Sequence, residues 1–282
     1  MQRLTGTEQQ IAALLNGAAD YKVQVFDTVT STNDLLREAA ASGAPEFTAF
    51  LAKSQTAGRG RQGRAFYSPQ QTGLYLSLLL RPALEAEALL RLTPMAAVAA
   101  AEAVEQCSGT RTQIKWVNDL LLHGRKICGI LAETAFSAAG SPDYAVIGIG
   151  INLLEPAGGF PEAIRGIAGA VFPSGTDADT AFVRCAAALL NALAGEYAGL
   201  PQRHYLAGYR ERLCVLNRPV TVLENGIERE AVVLAADDDL RLLVRYADGT
   251  EQWRATGEIR LRLDGQPFSG SPLPDQSAPV LP

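Results

Sequence analysis

The residues best suited to bind an anion lie between Gly58 and Arg64, where three glycines are interspersed with three arginines in the sequence GRGRQGR. Glycine permits backbone conformations and close approaches that other residues exclude. Arginine supplies planar, permanently charged donors for phosphate and carboxylate. The segment lacks the GxxxxGK[ST] pattern of a Walker loop. We interpret it as a loop that wraps an anionic ligand; a solvated flexible loop and an RGG-like RNA-binding segment are the alternatives.

A second polar segment, Lys115–Asp119 (KWVND), places a cation, an amide and a carboxylate within five residues. Lysine and amide groups bind phosphate oxygens, and a carboxylate beside them can position an attacking amine or a magnesium ion. The alternative is a strand end closed by a salt bridge.

Two further segments combine apolar strand character with polar or glycine positions. In Gly124–Leu131 (GRKICGIL), a hairpin turn is predicted to run into a buried strand. An inward-pointing Lys126 would need an anionic partner; otherwise it is an exposed turn lysine. In Val146–Asn152 (VIGIGIN), Gly148 and Gly150 interrupt an apolar strand, as happens where a ligand or another backbone approaches closely. Tight core packing is the alternative there.

The charge composition limits the classes of function that the chain can have. The chain has 282 residues, a formal net charge of −5 and 25 basic residues, of which only four are lysines. Two of these four, Lys115 and Lys126, lie in the polar segments described above. The acidic balance argues against general nucleic-acid binding, which requires a basic surface.

Several protein classes are disfavoured by the rest of the sequence. No apolar run approaches the length of a membrane span, and the first ten residues lack the apolar core of a signal peptide. The four cysteines (Cys107, Cys128, Cys185 and Cys214) and two histidines (His123 and His204) show no zinc-site spacing. We therefore expect no structural metal site and a cytoplasmic protein with reduced cysteines.

The elements that must position these segments follow from periodicity and from capping residues. Ser31 or Thr32 is expected to cap a helix, and Thr93 to cap another with Pro94 in its first turn. The expected helices are 8–16, 33–42, 93–107 and 178–198, with a further helix between Pro82 and Thr93. The expected strands are 22–26, 47–53, 73–80, 113–116, 126–134 and 144–153.

The residue pattern changes near Arg212, where short runs typical of β-strands begin. Strands are expected at 220–223, 230–235, 240–246 and 259–263, with hairpin turns at Asn225-Gly226 and Asp248-Gly249. This pattern predicts a small β-barrel. The domain interpretation is a short extension (1–20), a catalytic domain (21–208), a β domain (209–264) and a Pro-rich disordered tail (265–282).

Taken together and in order, these segments resemble the biotin–protein ligase family. The resemblance covers about residues 22–264, and its six main motifs have family-like order and spacing. They are Thr30–Asp34 (TSTND), Ser54–Arg64 (SQTAGRGRQGR), Ser68–Pro82 (SPQQTGLYLSLLLRP), Lys115–Asp119 (KWVND), Gly124–Glu133 (GRKICGILAE) and Ile147–Asn152 (IGIGIN). The segment GEIRLR, at residues 257–262, fits the end of the family's C-terminal β domain.

The resemblance implies an α+β fold: a central mixed β-sheet flanked by helices, of the class II synthetase-like type, followed by a small SH3-like β-barrel. It also implies a ligase that forms a C–N bond in two steps. Biotin and ATP give biotinyl-5′-adenylate, and biotin then passes to a lysine of a biotin carboxyl carrier protein, such as the carrier domain of acetyl-CoA carboxylase. Mg²⁺ is expected with ATP, held by phosphates and water, and no protein metal ligand is assigned. A homodimer is possible within the family.

The resemblance also assigns roles to residues. Lys126, Arg61 and Asp119 are the expected catalytic residues, with Asp119 orienting or deprotonating the acceptor lysine. Biotin is expected to contact Ser31, Thr32, Asn33, Gln55, Arg59, Gly60, Arg61 and Lys126. ATP is expected to contact Gly58, Arg61, Phe66, Lys115, Asn118, Lys126, Gly150 and Asn152.

Three departures from the family pattern qualify these expectations. Val117 stands where proline is usual, and Phe66 stands where many members have tryptophan near the adenine. Only about twenty residues precede the first expected strand, so a form without the DNA-binding domain of bifunctional members is expected, with no DNA partner. The alternatives are a lipoate or octanoate transferase of the same superfamily and a non-catalytic biotin-sensing or RNA-binding protein.

Overall fold

A computed structural model describes residues 2–224, 226–255 and 258–261. The chain forms two compact units that divide between Arg212 and Leu213. The expected tail at 265–282 lies outside the described residues, as do Gly257 and Arg262 of the GEIRLR segment.

The first unit is built on a seven-stranded sheet with the order β1-β2-β3-β7-β6-β5-β4. Strands β1 and β2 are parallel and the other neighbours are antiparallel, which confirms the expected mixed sheet. The strands are β1 (Lys22–Val29), β2 (Thr48–Gln55), β3 (Gly73–Leu80), β4 (Gln113–Lys115), β5 (Asp119–Leu122), β6 (Arg125–Phe136) and β7 (Pro142–Asn152).

Helices cover this sheet. They are α1 (Thr5–Ala12), α2 (Thr32–Ala41), α3 (Leu92–Ser108), α4 (Glu162–Arg165), α5 (Ala178–Ala198) and α6 (Tyr205–Arg212), with 3₁₀ turns at Arg61–Gly63 and Ala86–Arg91. Helix α2 buries Leu36 and Ala40 against a cluster that includes Leu79 and Val146. Side chains alternate along a strand, so Leu74, Leu76 and Leu78, which are fully buried, face the other side. Helices α3 and α5 contact each other and the central strands.

Some expected elements agree closely with the structure. Strand 73–80 and helix 178–198 have the expected bounds, and Ser31 caps α2 by accepting a hydrogen bond from the Asp34 backbone. The cap at Thr93 is wrong, because the 3₁₀ turn Ala86–Arg91 leads directly into α3 and Arg91 already has helical dihedral angles. The first helix begins and ends earlier than expected. The carboxylate of Glu8 ties it to β1 by accepting from the Val25 backbone.

Four elements were not expected from the sequence. Strand β5 and helix α4 are four residues long each, and helix α6 is also short; a Cβ on Gly208 of α6 would lie 3.1 Å from Val98 Cγ1 of α3. The fourth is β11 of the second unit, described next.

The second unit is a five-stranded antiparallel sheet with the order β11-β10-β9-β8-β12. Its strands are β8 (Pro219–Glu224), β9 (Ile227–Ala236), β10 (Leu242–Tyr246), β11 (Glu251–Arg254) and β12 (Glu258–Leu261). Gly249 has a φ of 84°, as the expected hairpin turn requires. A small C-terminal β domain is therefore confirmed.

Within the described part of the chain, none of the helices has both the length and the apolar character needed to cross a membrane.

Candidate active site

Three glycines leave part of the sheet face that carries α2 free of side chains, and this part is called the cleared face below. Gly129 of β6 pairs with Gly150 of β7, which pairs with Tyr75 of β3, and the next pair along is Gly148 with Ser77. These positions share one face of the sheet, because side chains alternate along each strand. The missing side chains leave room for other groups to lie directly on the backbone.

The Phe66 ring occupies the space above two of these glycines. A Cβ on Gly150 would lie 2.5 Å from Phe66 Cε1, and one on Gly129 would lie 3.0 Å from Phe66 Cε2. The edge of the ring faces Tyr75, with centroids 6.4 Å apart. Of the two glycines that interrupt β7, Gly150 therefore lies against the Phe66 ring, whereas Gly148 lies against the Asn33 side chain. The close neighbour of each glycine is a side chain, as the packing alternative predicts.

Lys126 and Asp119 form an ion pair beside this ring. Lys126 Nζ lies 2.6 Å from Asp119 Oδ1 and 6.0 Å from the centre of the Phe66 ring. The inward-pointing orientation of Lys126 is thus the correct one, and the anionic partner that it requires is present. A Cβ on Gly129 would lie 3.3 Å from Lys126 Nζ, so the ammonium group lies on the cleared face.

A β-bulge gives Lys126 this orientation. Asp119 pairs with Gly129 and Leu120 with Cys128, but Leu121 then pairs with Lys126, so Ile127 is an extra residue in β6. Without this extra residue, Lys126 would sit opposite Leu122 and point to the other face, because a one-residue slip reverses side-chain orientation. The bulge therefore brings the lysine and the aspartate to one face.

The segment after α4 holds the backbone of Lys126 in place. The Lys126 amide donates to the Ile167 carbonyl, and its carbonyl accepts from the Gly169 amide. Asn152 Nδ2 donates to the Gly169 carbonyl at 3.0 Å. The Asn152 amide thus supports the loop that holds Lys126.

Two further basic side chains, those of Arg61 and Lys115, lie near the Lys126–Asp119 ion pair. Arg61 Nη1 donates to Asn118 Oδ1 at 2.9 Å, and Asn118 Nδ2 donates to the Ile130 carbonyl. Lys115 Nζ lies 4.0 Å from Asp119 Oδ2. The KWVND segment and the segment Gly58–Arg64, called the arginine loop below, are distant in sequence. They therefore come together around Asp119 and Lys126. The Trp116–Val117 peptide bond in this segment is cis.

The arginine loop folds back on itself. The Gly60 amide donates to the Arg64 carbonyl, and Gln62 adopts a left-handed conformation with a φ of 57°. A Cβ on Gly58 would lie 2.5 Å from both the Phe66 carbonyl oxygen and Ser68 Oγ. Gly58 therefore permits the close crossing that lays Phe66 on the sheet.

A polar cluster lies at the start of α2. Gln55 Oε1 accepts from the backbone and the hydroxyl of Thr32, at 2.8 and 3.1 Å. Ser77 Oγ lies 2.8 Å from Thr32 Oγ1 and 2.5 Å from Asn33 Oδ1. Ser31, Thr32, Asn33 and Ser77 are all buried. Buried polar groups of this kind are held by hydrogen bonds, which fix the positions of their donors and acceptors.

Arg59 lies between two carboxylates. It donates to Asp34 Oδ1 at 2.5 Å and to Glu133 Oε1 at 2.9 Å. The hydrogen bond that Arg59 donates to Asp34 is the main reason that the pKa of Arg59 is raised. Arg37 Nη1 lies 3.7 Å from the same two carboxylates. The sequence analysis did not predict that Asp34 and Glu133 pair with Arg59, although each is the last residue of a motif identified there.

The predicted site residues thus fall into two groups on one sheet face. The first surrounds the Lys126–Asp119 pair and comprises Arg61, Phe66, Lys115, Asn118, Gly150 and Asn152. The second surrounds the start of α2 and comprises Ser31, Thr32, Asn33, Gln55 and Arg59. Of the predicted loop glycines, Gly58 directly precedes Arg59, and Gly60 lies between Arg59 and Arg61 in the sequence. Among the residues that the structure describes, no group of three or more His, Cys, Asp or Glu side chains could hold a metal ion.

Comparison with known proteins matches residues 25–152 to the biotin/lipoate A/B protein ligase family. A biotin–[acetyl-CoA-carboxylase] ligase of Paracoccus denitrificans is 32% identical over 211 residues, which cover 71% of this chain and 85% of that protein. The bifunctional ligase/repressor BirA of Bacillus spizizenii is 39% identical over 142 residues, 50% of this chain and 43% of that protein. The match thus spans less than half the length of this repressor.

Among solved structures, the biotin protein ligase of Aquifex aeolicus in complex with biotin and ATP is similar, with a TM-score of 0.69 and 26% identity. The similarity covers 85% of this chain and 98% of the Aquifex chain.

Proposed function

Because the chain belongs to the biotin/lipoate A/B protein ligase family, we propose that it is an ATP-dependent biotin–protein ligase. The observation that carries the proposal is the Lys126–Asp119 pair, which lies on a glycine-cleared sheet face beside Arg61 and Asn118. The choice of biotin is supported by the Paracoccus relative, a biotin–[acetyl-CoA-carboxylase] ligase.

In the first proposed step, an oxygen of biotin's carboxylate attacks the α-phosphorus of ATP. The bond from that phosphorus to the pyrophosphate oxygen breaks, which gives biotinyl-5′-adenylate and pyrophosphate. Two anions must approach each other, so positive charge is needed where negative charge develops. Lys126 and Arg61 supply it in this proposal, and Lys115 lies close enough to Asp119 to assist on the ATP side.

In the second proposed step, a carrier lysine amine attacks the carbonyl carbon of the adenylate. The bond from this carbon to the phosphate oxygen breaks, an amide forms and AMP leaves with its electron pair. The amine must lose a proton, and Asp119 is the proposed group that orients or deprotonates it. A carrier domain with an accessible lysine is the proposed macromolecular partner.

Binding roles follow from the two groups of residues. We assign biotin's ureido end to the cluster of Ser31, Thr32, Asn33 and Gln55, and its carboxylate end to the loop of Arg59, Gly60 and Arg61. The nucleotide is assigned to the surroundings of Phe66, where a planar base can stack on the ring. The remaining proposed ATP contacts are Gly58, Lys115, Asn118, Gly150 and Asn152. Mg²⁺ would accompany the phosphates of ATP and neutralise part of their charge.

Mass spectrometry of a carrier domain, incubated with the protein, ATP and biotin, tests the proposal. The expected result is a single added biotinyl group that depends on ATP and disappears when the acceptor lysine is replaced by arginine. A parallel incubation with lipoate addresses the superfamily alternative. Transfer of lipoate without biotin would overturn the choice of substrate, and transfer of neither acid would overturn the ligase assignment.

A further inference from the structure

We infer that Glu133 is a positioning residue that holds the arginine loop and the polar cluster at the start of α2 as one unit, and that this unit sets the affinity for biotin. The inference rests on the proposed function and adds to it a residue that does not itself touch the substrate.

The two carboxylate oxygens of Glu133 bind different parts of the chain. Oε1 accepts from Arg59 in the loop and Oε2 accepts from Asn33 Nδ2 in α2, each at 2.9 Å. A carboxylate is the side chain suited to this place, because both of its oxygens are acceptors and both partners are donors. Glu133 lies on β6 with a side chain only 21% exposed, so it provides a fixed point for both partners.

The hydrogen bonds continue from Asn33 into the polar cluster. Ser77 Oγ lies within hydrogen-bond distance of both Asn33 Oδ1 and Thr32 Oγ1. The backbone N–H of Thr32 in turn donates to Gln55 Oε1. The Asn33 amide lies against the sheet where Gly148 has no side chain, and a Cβ on Gly148 would overlap Oδ1. A connected series of contacts therefore links the loop arginine to the groups assigned to biotin's ureido end.

Charge in this region is locally compensated. Arg59 and Arg37 face Asp34 and Glu133, so two positive groups meet two negative ones. Arg59 thus fastens the loop to α2 and β6, whereas Arg61 donates to the amide oxygen of Asn118 and is better placed to meet an anion. Removal of Glu133's charge would loosen the loop and leave Asn33 without its anchor.

Glu133→Gln is the matched test, because it preserves shape and replaces one acceptor with a donor. Biotin-dependent ATP–pyrophosphate exchange gives KM for biotin, KM for ATP and kcat. We expect KM for biotin to rise on the order of tenfold, as for loss of a charged hydrogen bond, while KM for ATP changes little. Asp143→Asn is the control: Asp143 pairs with Arg81 at the opposite end of β7, and its loss should leave all three constants unchanged.

A second variant separates positioning from general destabilisation. Arg59→Met removes the loop partner of Glu133, together with the pairing of Arg59 with Asp34 and its proposed contact with biotin. Glu133→Gln added to this variant should therefore raise KM for biotin by a smaller factor than it does in the unmodified protein. Unchanged KM for biotin in folded Glu133→Gln, or full multiplicative effects in the double variant, would overturn the inference. An unmodified protein without biotin-dependent exchange would instead overturn the proposed function, and the inference with it.

Discussion

Lys126 of β6 and Asp119 of β5 meet at 2.6 Å on the sheet face that three glycines clear, and they do so because one extra residue in β6 reverses the orientation of the lysine. The pair places an ammonium group and a carboxylate side by side. In the proposed reaction the two groups act in different steps, so substitutions at the two positions should separate those steps.

Lys126→Ala is expected to lower ATP–pyrophosphate exchange by about 100-fold or more, because the variant loses a cation at the developing negative charge. The fold should be preserved, since the side chain is partly exposed and its backbone contacts do not depend on it. Lys22→Ala is the control, as Lys22 pairs with Asp20 on the surface. Exchange as fast as in the unmodified protein would exclude the proposed role of Lys126.

Asp119→Asn is expected to impair transfer more than adenylate formation. An amide cannot accept the proton of the attacking amine, so transfer from preformed biotinyl-adenylate should slow by on the order of 100-fold. Single-turnover transfer and ATP–pyrophosphate exchange, measured on the same preparation, give the two rates. Equal losses in both rates would show that Asp119 serves only to hold Lys126. Asp20→Asn provides the surface control.

Gly150→Ala tests the contact between the Phe66 ring and the sheet. The new methyl group would lie 2.5 Å from the ring, so Phe66 must move. We expect a loss of stability of about 1–3 kcal/mol, as for other overpacked sites, together with a raised KM for ATP. Urea unfolding and exchange kinetics measure the two effects. Gly158→Ala is the matched control, because nothing lies within 4 Å of its added methyl; equal behaviour of the two variants would contradict the close packing.

The sequence was sufficient to select the segments that the structure brings together around Lys126 and the start of α2, because each motif is local and its residue types have few alternatives. It was also sufficient for β3 and α5, whose apolar pattern and bounding residues are strong. It could not reveal the bulge at Ile127, since an extra strand residue is defined only by the partner strand. Nor could it pair Arg59 with Glu133, which lies 74 residues away.

A half-buried carboxylate outside the proposed site gives the last prediction. Glu196 of α5 has one oxygen, Oε2, that is buried with no hydrogen-bond partner among the described residues. Burial, and then the negative charge of Glu102, raises the pKa of Glu196 to about 7. Arg212 opposes this shift, but it also binds both oxygens of Glu105.

The raised pKa fixes the sign of the pH dependence. The folded protein holds the Glu196 proton at a pH where the unfolded chain, with a pKa near 4.5, has released it. The stabilisation from this proton is complete below about pH 4.5 and is lost as pH rises through about 7. Glu196→Gln, which stays neutral, should therefore gain stability relative to the unmodified protein at pH 8 and lose that advantage at pH 5.

The gain at pH 8 should be about 1 kcal/mol, since partial exposure screens the effect, and urea unfolding at both pH values measures it. Glu87→Gln removes the same charge from an exposed position of the 3₁₀ turn Ala86–Arg91, and its effect should be similar at both pH values. If Glu196→Gln changed stability equally at pH 5 and pH 8, the carboxyl would titrate alike in the folded and unfolded chains. Its burial between α3 and α5 would then carry no penalty for the charged form.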